Sequence, residues 1–111
     1  MNSDIQKNKN TLFCKNVIDY ISEHYNENIT SQKAADTLSY NQSYFCRAFK
    51  KNFNMCFSDY LNMYRIKTSR MLLEDGQKSI SSIALECGFN SPSYFTSCFK
   101  KYLGILPSEY K

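Results

Sequence analysis

Residues 41–54 read NQSYFCRAFKKNFN, and residues 91–104 read SPSYFTSCFKKYLG. Displaced by 50 positions, Ser43-Tyr44-Phe45 falls on Ser93-Tyr94-Phe95, and Phe49-Lys50-Lys51 falls on Phe99-Lys100-Lys101. The same displacement carries Ser58 onto Ser108 and Tyr60 onto Tyr110. Upstream the displacement becomes 49, setting Ala35 on Ala84, Tyr40 on Phe89 and Asn41 on Asn90. One extra residue near Ser91-Pro92 reconciles the two frames, in a composition that forms turns. Matches this dense and ordered mark an internal repeat.

Each copy parses as a short helix, a tight turn and a longer helix. In the first, Thr30 or Ser31 caps a helix running to about Leu38, and Ser39-Tyr40 makes the turn. Asn41 then caps the longer helix, because its side-chain oxygen accepts from a backbone N–H left unpaired in the first turn. That helix runs to about Phe53 and stops at Asn54, a residue that tolerates the left-handed conformation. In the second copy Ser79 caps a helix to Cys87, and Gly88 supplies the left-handed stop. Ser91 caps the longer helix, with Pro92 at its first position, where a missing N–H costs nothing. Gly104 ends it, aligned with Asn54.

Helical spacing continues outward from the repeats. Phe13, Val17, Ile18, Ile21 and Tyr25 predict a leading amphipathic helix. Phe57, Tyr60, Leu61, Tyr64, Met71 and Leu72 trace one stripe of a helix to about Asp75, interrupted by Thr68 and ended by Gly76. Pro107 opens a last turn through Tyr110. No stretch sustains two-residue alternation, so the fold class is all-α with about seven helices. Residues 1–11 are expected to form a flexible N-terminal stub, and 12–55 a first helix-turn-helix subdomain. Residues 56–75 are expected to form a long linking helix, and 76–111 a second helix-turn-helix subdomain.

Composition bounds what such a chain can do. Its 111 residues, 42% hydrophobic and 22% charged, fit one domain or two small ones, and nine Tyr with eight Phe supply a core. No apolar run approaches the roughly 20 residues that span a bilayer. The start lacks the apolar segment of a signal peptide, so a cytoplasmic location with reduced thiols is expected. The five cysteines (14, 46, 56, 87, 98) form no CxxC pair, and His24 is the sole histidine. No metal site, disulfide framework or cofactor is therefore expected, and the thiols read as small buried apolar groups. No carboxylate pair, nucleophile–histidine arrangement or phosphate loop is present, so the chain does not read as an enzyme.

Charge is modest in sum, at +4, but unevenly placed. Arg47, Lys50 and Lys51 occur without an acid between Asn41 and Phe53, as do Lys100 and Lys101 between Asn90 and Leu103. The acids Asp19, Glu23, Glu27, Asp36 and Glu86 gather elsewhere. Such segregation suits a polyanion, although a solvated face looks the same. Helical geometry separates the faces. Phe45, Ala48, Phe49 and Phe53 turn inward, leaving Gln42, Ser43, Cys46, Arg47 and Lys50 outside. Phe95, Cys98, Phe99 and Leu103 do the same in the second copy, leaving Pro92, Ser93, Thr96, Ser97 and Lys100 outside. Outward hydroxyls, an amide and an arginine near a helix N-terminus have the reach and the donors to read base edges in a major groove.

The run Ile83-Ala84 through Gly88-Phe89, then Ser93-Tyr94-Phe95, Phe99-Lys100-Lys101, Gly104, Pro107 and Tyr110 resembles the signature of the AraC/XylS transcription regulators. Phe49-Lys50-Lys51 and the helix around Tyr64-Arg65 are similar to the first half of that pattern, and the likeness extends from about Thr11 to Lys111. The resemblance implies two helix-turn-helix subdomains joined by a long helix and bound to promoter DNA. It turns Ser43, Cys46 and Arg47 of the first reading helix, and Ser93, Thr96 and Ser97 of the second, toward bases. Members usually carry a basic residue where Ser97 stands, and often Gly where Ser39 and Asn54 stand. The second helix is accordingly expected to contribute backbone contacts and shape reading in place of strong base readout. Arg65 is implied to be a structural tie between subdomains. Many members also carry a separate sensing or dimerising domain, for which this length has no room, so the reading leans to a fragment of a larger regulator.

These readings converge on a sequence-specific double-stranded DNA-binding transcription regulator, monomeric as an isolated chain. Gln42, Ser43, Cys46, Arg47, Ser93, Thr96 and Ser97 are its expected base-contact residues. Asn41, Lys50, Lys51, Ser91, Lys100 and Lys101 are expected on the DNA backbone. A linking helix from Phe57 to Asp75 spans roughly 28 Å at about 1.5 Å per residue, against the ~34 Å between successive major-groove faces. Two recognition helices are thus expected in adjacent grooves. The alternatives are a helical protein-interaction module docking on a partner such as RNA polymerase, and a thiol-based redox switch in which outward Cys46 reacts.

Overall fold

Helix after helix is punctuated by the residues that the sequence suggests. The computed structural model describes residues 2–110, with side chains from Lys7 onward. Met1, which opens the expected first segment, and Lys111, which closes the last, lie outside the described residues. The elements are α1 (Asn2–His24), α2 (Ser31–Thr37), α3 (Gln42–Phe53), α4 (Phe57–Asp75), α5 (Ile80–Glu86) and α6 (Pro92–Leu103). A 3-10 turn follows at Pro107–Glu109. No strand occurs among the described residues. The all-α fold is as expected.

One element starts earlier than expected. Residues 2–11, assigned to a flexible stub, belong to α1. No Gly or Pro interrupts this stretch, and Phe13 and Val17 anchor the helix in the core. Once nucleated there, each residue added upstream gains a hydrogen bond for a small entropic cost, even in polar sequence. Thr11 Oγ1 donates to the Lys7 carbonyl at 2.9 Å within this extension.

Contacts divide the chain into two compact units. The first holds α1 and residues 29–60, and the second holds residues 25–28 and the chain from Leu61 onward. These limits differ from the expected ones in two respects. The linking helix α4 is shared, its first turn falling in the first unit and the remainder in the second. Residues 25–28 pack in the second unit, although they sit between α1 and α2 in sequence.

In the first unit Phe13, Val17, Tyr20 and Ile21 from α1 are buried, with Ala34, Ala35, Phe45, Phe49 and Phe57. The rings interlock: Phe45 lies 5.6 Å from Phe13 and 5.7 Å from Phe57, and Phe49 lies 4.3 Å from Phe53. In the second unit Ile66, Ile83, Ala84, Cys87, Phe89, Phe95, Cys98 and Phe99 form the core, with Leu72, Leu73, Ile80 and Tyr110 against it.

Three core expectations need correction. Met71 is 70% exposed, because the buried row of α4 runs through Phe57, Leu61, Arg65 and Ser69. Four-residue steps advance about 40° around the helix, which carries that row away from position 71. Ile18 is likewise exposed, on the flank of the α1 stripe. Of the cysteines, only Cys87 and Cys98 are buried; Cys14 is half-buried, and Cys46 and Cys56 are exposed. Among the described residues, no helix is long and apolar enough to cross a membrane.

Candidate nucleic-acid interface

Two helices of equal length, α3 and α6, carry the candidate residues, and the same local devices set each in place. The turns before them share a hydrogen-bond pattern. Tyr40 N donates to the Ala35 carbonyl (2.8 Å), as Phe89 N does to that of Ala84 (3.0 Å). Each turn needs one residue at positive φ: Ser39 at 64° and Gly88 at 98°. Asn41 Oδ1 then accepts from Tyr44 N (3.1 Å), and Ser91 Oγ accepts from Tyr94 N (3.2 Å). Both helices end on a left-handed residue, Asn54 at φ 60° and Gly104 at φ 79°. The internal repeat is therefore a repeat of backbone geometry.

With each helix held by its aromatic stripe, the opposite face is open. On α3, Gln42, Ser43, Cys46, Arg47, Lys50 and Lys51 are exposed. On α6, Ser93, Ser97, Lys100 and Lys101 are exposed, while Thr96 is half-buried and projects less than its expected role implies. The side-chain oxygens of Asn41 and Ser91 are occupied as helix caps. What these two positions offer beyond the caps is the exposed first turn, whose backbone N–H groups attract anions.

Neither α3 nor α6 contains an acid. Lys15 pairs with Asp19 and Lys78 with Glu86, whereas Arg47, Lys50, Lys51 and Lys100 have no acidic partner among the described residues. Lys101 Nζ lies 5.6 Å from the Tyr102 ring centre, which draws it back along the helix end. Lysines in the last turn also complement the helix dipole, so part of their effect is local. The α3 face is the more basic of the two, since Arg47 has Ser97 as its counterpart.

Arg65 stands apart from this surface. It is 8% exposed, its Nε donates to the Tyr25 carbonyl and its Nη2 to that of Glu27. It ties α4 to residues 25–28, which the sequence pattern assigns to the first subdomain and which by contacts belong to the second unit.

Two residue types at this surface were not anticipated. Tyr44 and Tyr94, at matching positions, are exposed by 39% and 51%. Their recurrence in both copies of the motif was the available signal. Asn10, inside the segment expected to be a stub, borders a cleft with Tyr44, Arg47, Ala48, Lys51 and Asn52; nothing in the sequence pattern placed it there. The redox alternative fares differently at each thiol. Cys46 and Cys56 are accessible, while burial and the neighbouring Glu86 push Cys87 up to about 11, leaving it protonated and unreactive.

A family model described as a helix-turn-helix domain matches residues 34–111. The melibiose operon regulatory protein of Escherichia coli K12 is 33% identical over 99 residues, covering 89% of this chain and 33% of the relative. The chain spans about a third of the length of the first curated relatives it matches. A transcriptional regulator structure from Chromobacterium violaceum, described as containing an AraC-type DNA-binding domain, superposes with a TM-score of 0.84 at 25% identity. That match covers 90% of this chain and 89% of the other. The DNA-binding domain of AdpA, a global transcriptional factor solved with a target DNA, gives 0.80 at 26% identity and covers 85% of each chain.

Proposed function

The chain belongs to the AraC-type family of helix-turn-helix domains, and from this premise we propose that it reads double-stranded promoter DNA to regulate transcription. The observation that carries the reading is the pair of matching helices α3 and α6, each buried by its aromatic face and each exposing an acid-free polar face. Such helices enter the major groove with their N-terminal residues at the base edges. A cytoplasmic location goes with this partner.

On this reading the two halves divide the work unequally. Arg47 supplies a planar donor fork suited to guanine, with Gln42, Ser43 and Cys46 beside it. Ser93, Thr96 and Ser97 offer shorter, uncharged groups, so the second helix contributes weaker base contacts and more backbone fit. Lys50, Lys51, Lys100 and Lys101 attract phosphates, and displacement of condensed cations makes binding steeply salt-dependent. Both recognition helices engage one duplex in successive major grooves.

Selection of bound duplexes from a random pool tests the reading directly. The expected product is an enriched site with two elements about 10 base pairs apart, the element read by α3 being the more strictly defined. A pool that stays random after repeated rounds overturns sequence-specific binding.

A further inference from the structure

We propose that Tyr94, tethered by Asn62 of the linking helix, reads a thymine methyl group in the half-site entered by α6, with Asn62 as its positioning residue. This contact deepens the proposed function and rests on it. Tyr94 lies in the first turn of α6, one position beyond Ser93. Its hydroxyl oxygen accepts from Asn62 Nδ2 at 3.0 Å, across 32 residues of sequence. Its ring meets Phe89 edge-on, with centres 5.9 Å apart. Asn62 and Phe89 both belong to the second unit, so the ring is held at two points within one compact body.

Held in this way, Tyr94 still leaves 51% of its surface open. The matching Tyr44 packs against two rings, Tyr40 at 5.7 Å and Phe13 at 6.1 Å, and is 39% exposed. The residue three positions on differs as well. Arg47 lines a cleft together with Tyr44, whereas Ser97 follows Tyr94. Residues three apart are neighbours on a helix surface, so the short Ser97 leaves the Tyr94 ring uncovered on that side.

Elsewhere on the outward face of α6, Ser93 and Ser97 are short, Thr96 is half-buried and the lysines stand in the last turn. Tyr94 is thus the long uncharged side chain that the first two turns hold open. Thymine presents a methyl group in the major groove where cytosine presents none, and an aromatic ring reads it by apolar contact. Such a contact favours a ring already in place, because ordering a free side chain on binding offsets part of the gain. Asn62 supplies that order. Its bond lies at the surface and adds little stability, but it fixes which way the phenol points.

The test replaces the thymines of the selected duplex one at a time by deoxyuridine, which lacks only the methyl group. Wild type is expected to lose about fourfold in affinity at one thymine of the less strictly defined element, the one read by α6, as the worth of one buried methyl group. Tyr94→Ala is expected to bind the thymine and uracil duplexes equally, and to keep the wild-type response at every thymine of the other element. Asn62→Ala and Tyr94→Phe each break the tether and are expected to lower the thymine-to-uracil ratio to about twofold, and the double variant to lower it no further. If Asn62→Ala weakens both duplexes together and leaves their ratio unmoved, Asn62 is structural and its positioning role is overturned. Sequence-specific binding by wild type with no thymine in the α6 element, or with uracil tolerated throughout it, overturns the contact and leaves the proposed function standing. Equal losses by Tyr94→Phe on thymine, uracil and random duplexes make the hydroxyl a phosphate contact and overturn it too. If wild type selects no site at all, the proposed function fails and the thymine contact fails with it.

Discussion

Arg65 Nε donates to the carbonyl of Tyr25 at 2.7 Å, across 40 residues of sequence. Its Nη2 reaches the Glu27 carbonyl at 2.8 Å, and the guanidinium carbon lies 5.8 Å from the Phe89 ring centre. One side chain thus fastens the segment between α1 and α2 to α4 and to the turn before α6. Burial lowers its pKa from the ordinary arginine value, although the group remains a cation. The two carbonyls it satisfies belong to the turn that follows α1, outside any helix.

Removing that side chain exposes the dependence. Arg65→Ala strands two carbonyls and opens a cavity beside Phe89, and is expected to cost about 2–4 kcal/mol. Arg65→Lys keeps the charge but loses the two-pronged geometry, and should fall between. Denaturant unfolding measures both; a loss below about 0.5 kcal/mol for the alanine variant would show that water replaces the guanidinium without penalty.

Gly88 and Gly104 both have positive φ, yet their surroundings differ. A Cβ on Gly88 would meet the Tyr25 carbonyl oxygen at 2.7 Å and the Asn26 Cα at 2.9 Å, both backbone atoms; a Cβ on Gly104 meets nothing within 4 Å. Gly104→Ala is therefore expected to cost about 1 kcal/mol, from left-handed strain alone. Gly88→Ala adds displacement of residues 25–28 and should cost at least twice as much. Equal melting temperatures for the two variants would contradict the close approach.

On DNA, Arg47→Ala is expected to lose roughly 1–3 kcal/mol on the selected site while changing random-sequence binding far less. Lys100→Ala should weaken all duplexes alike and flatten the salt slope by about 0.9. Titrations at several salt concentrations separate the two behaviours. Equal losses by Arg47→Ala on selected and random duplexes would reduce that residue to a phosphate contact.

Thiol chemistry should divide by burial. An alkylating reagent is expected to modify Cys46 and Cys56 in the folded protein and to spare Cys87 and Cys98 until unfolding. Because burial raises the folded-state pKa of Cys87 to about 11 from 9.0, the folded state holds that proton more tightly than the unfolded chain. The associated stability is complete below about pH 9 and is lost as pH rises through about 11. Cys87→Ala should therefore lose less stability than wild type between pH 8 and roughly pH 11. Parallel losses would mean that the thiol ionises without disturbing the fold.

Much of this architecture was legible along the chain because its cues are local. The caps at Asn41, Ser79 and Ser91, and the left-handed stops at Asn54, Gly88 and Gly104, all bond within a few residues. The inward stripes of α3 and α6 follow from helical period, and with them the outward placement of Arg47 and Ser97. Less legible were features that depend on distant neighbours. The α4 stripe passes through Arg65 and Ser69, polar residues that a search for apolar spacing passes over. Ser69 is tolerated there because its hydroxyl bonds the Ile66 carbonyl at 2.6 Å. The polar start of α1 carried no apolar period, so its helicity and the position of Asn10 stayed hidden.

By itself, then, the order of residues determined the helices, their ends, the repeat and the chemical character of the two open faces. These depend on backbone sterics, capping and periodicity, which act over single turns. Only the tertiary structure decided that residues 25–28 join the second unit, that Asn10 and Lys51 line one cleft, and which thiols stay accessible. Those outcomes depend on which surfaces meet once the helices pack, and a one-dimensional pattern does not contain that information.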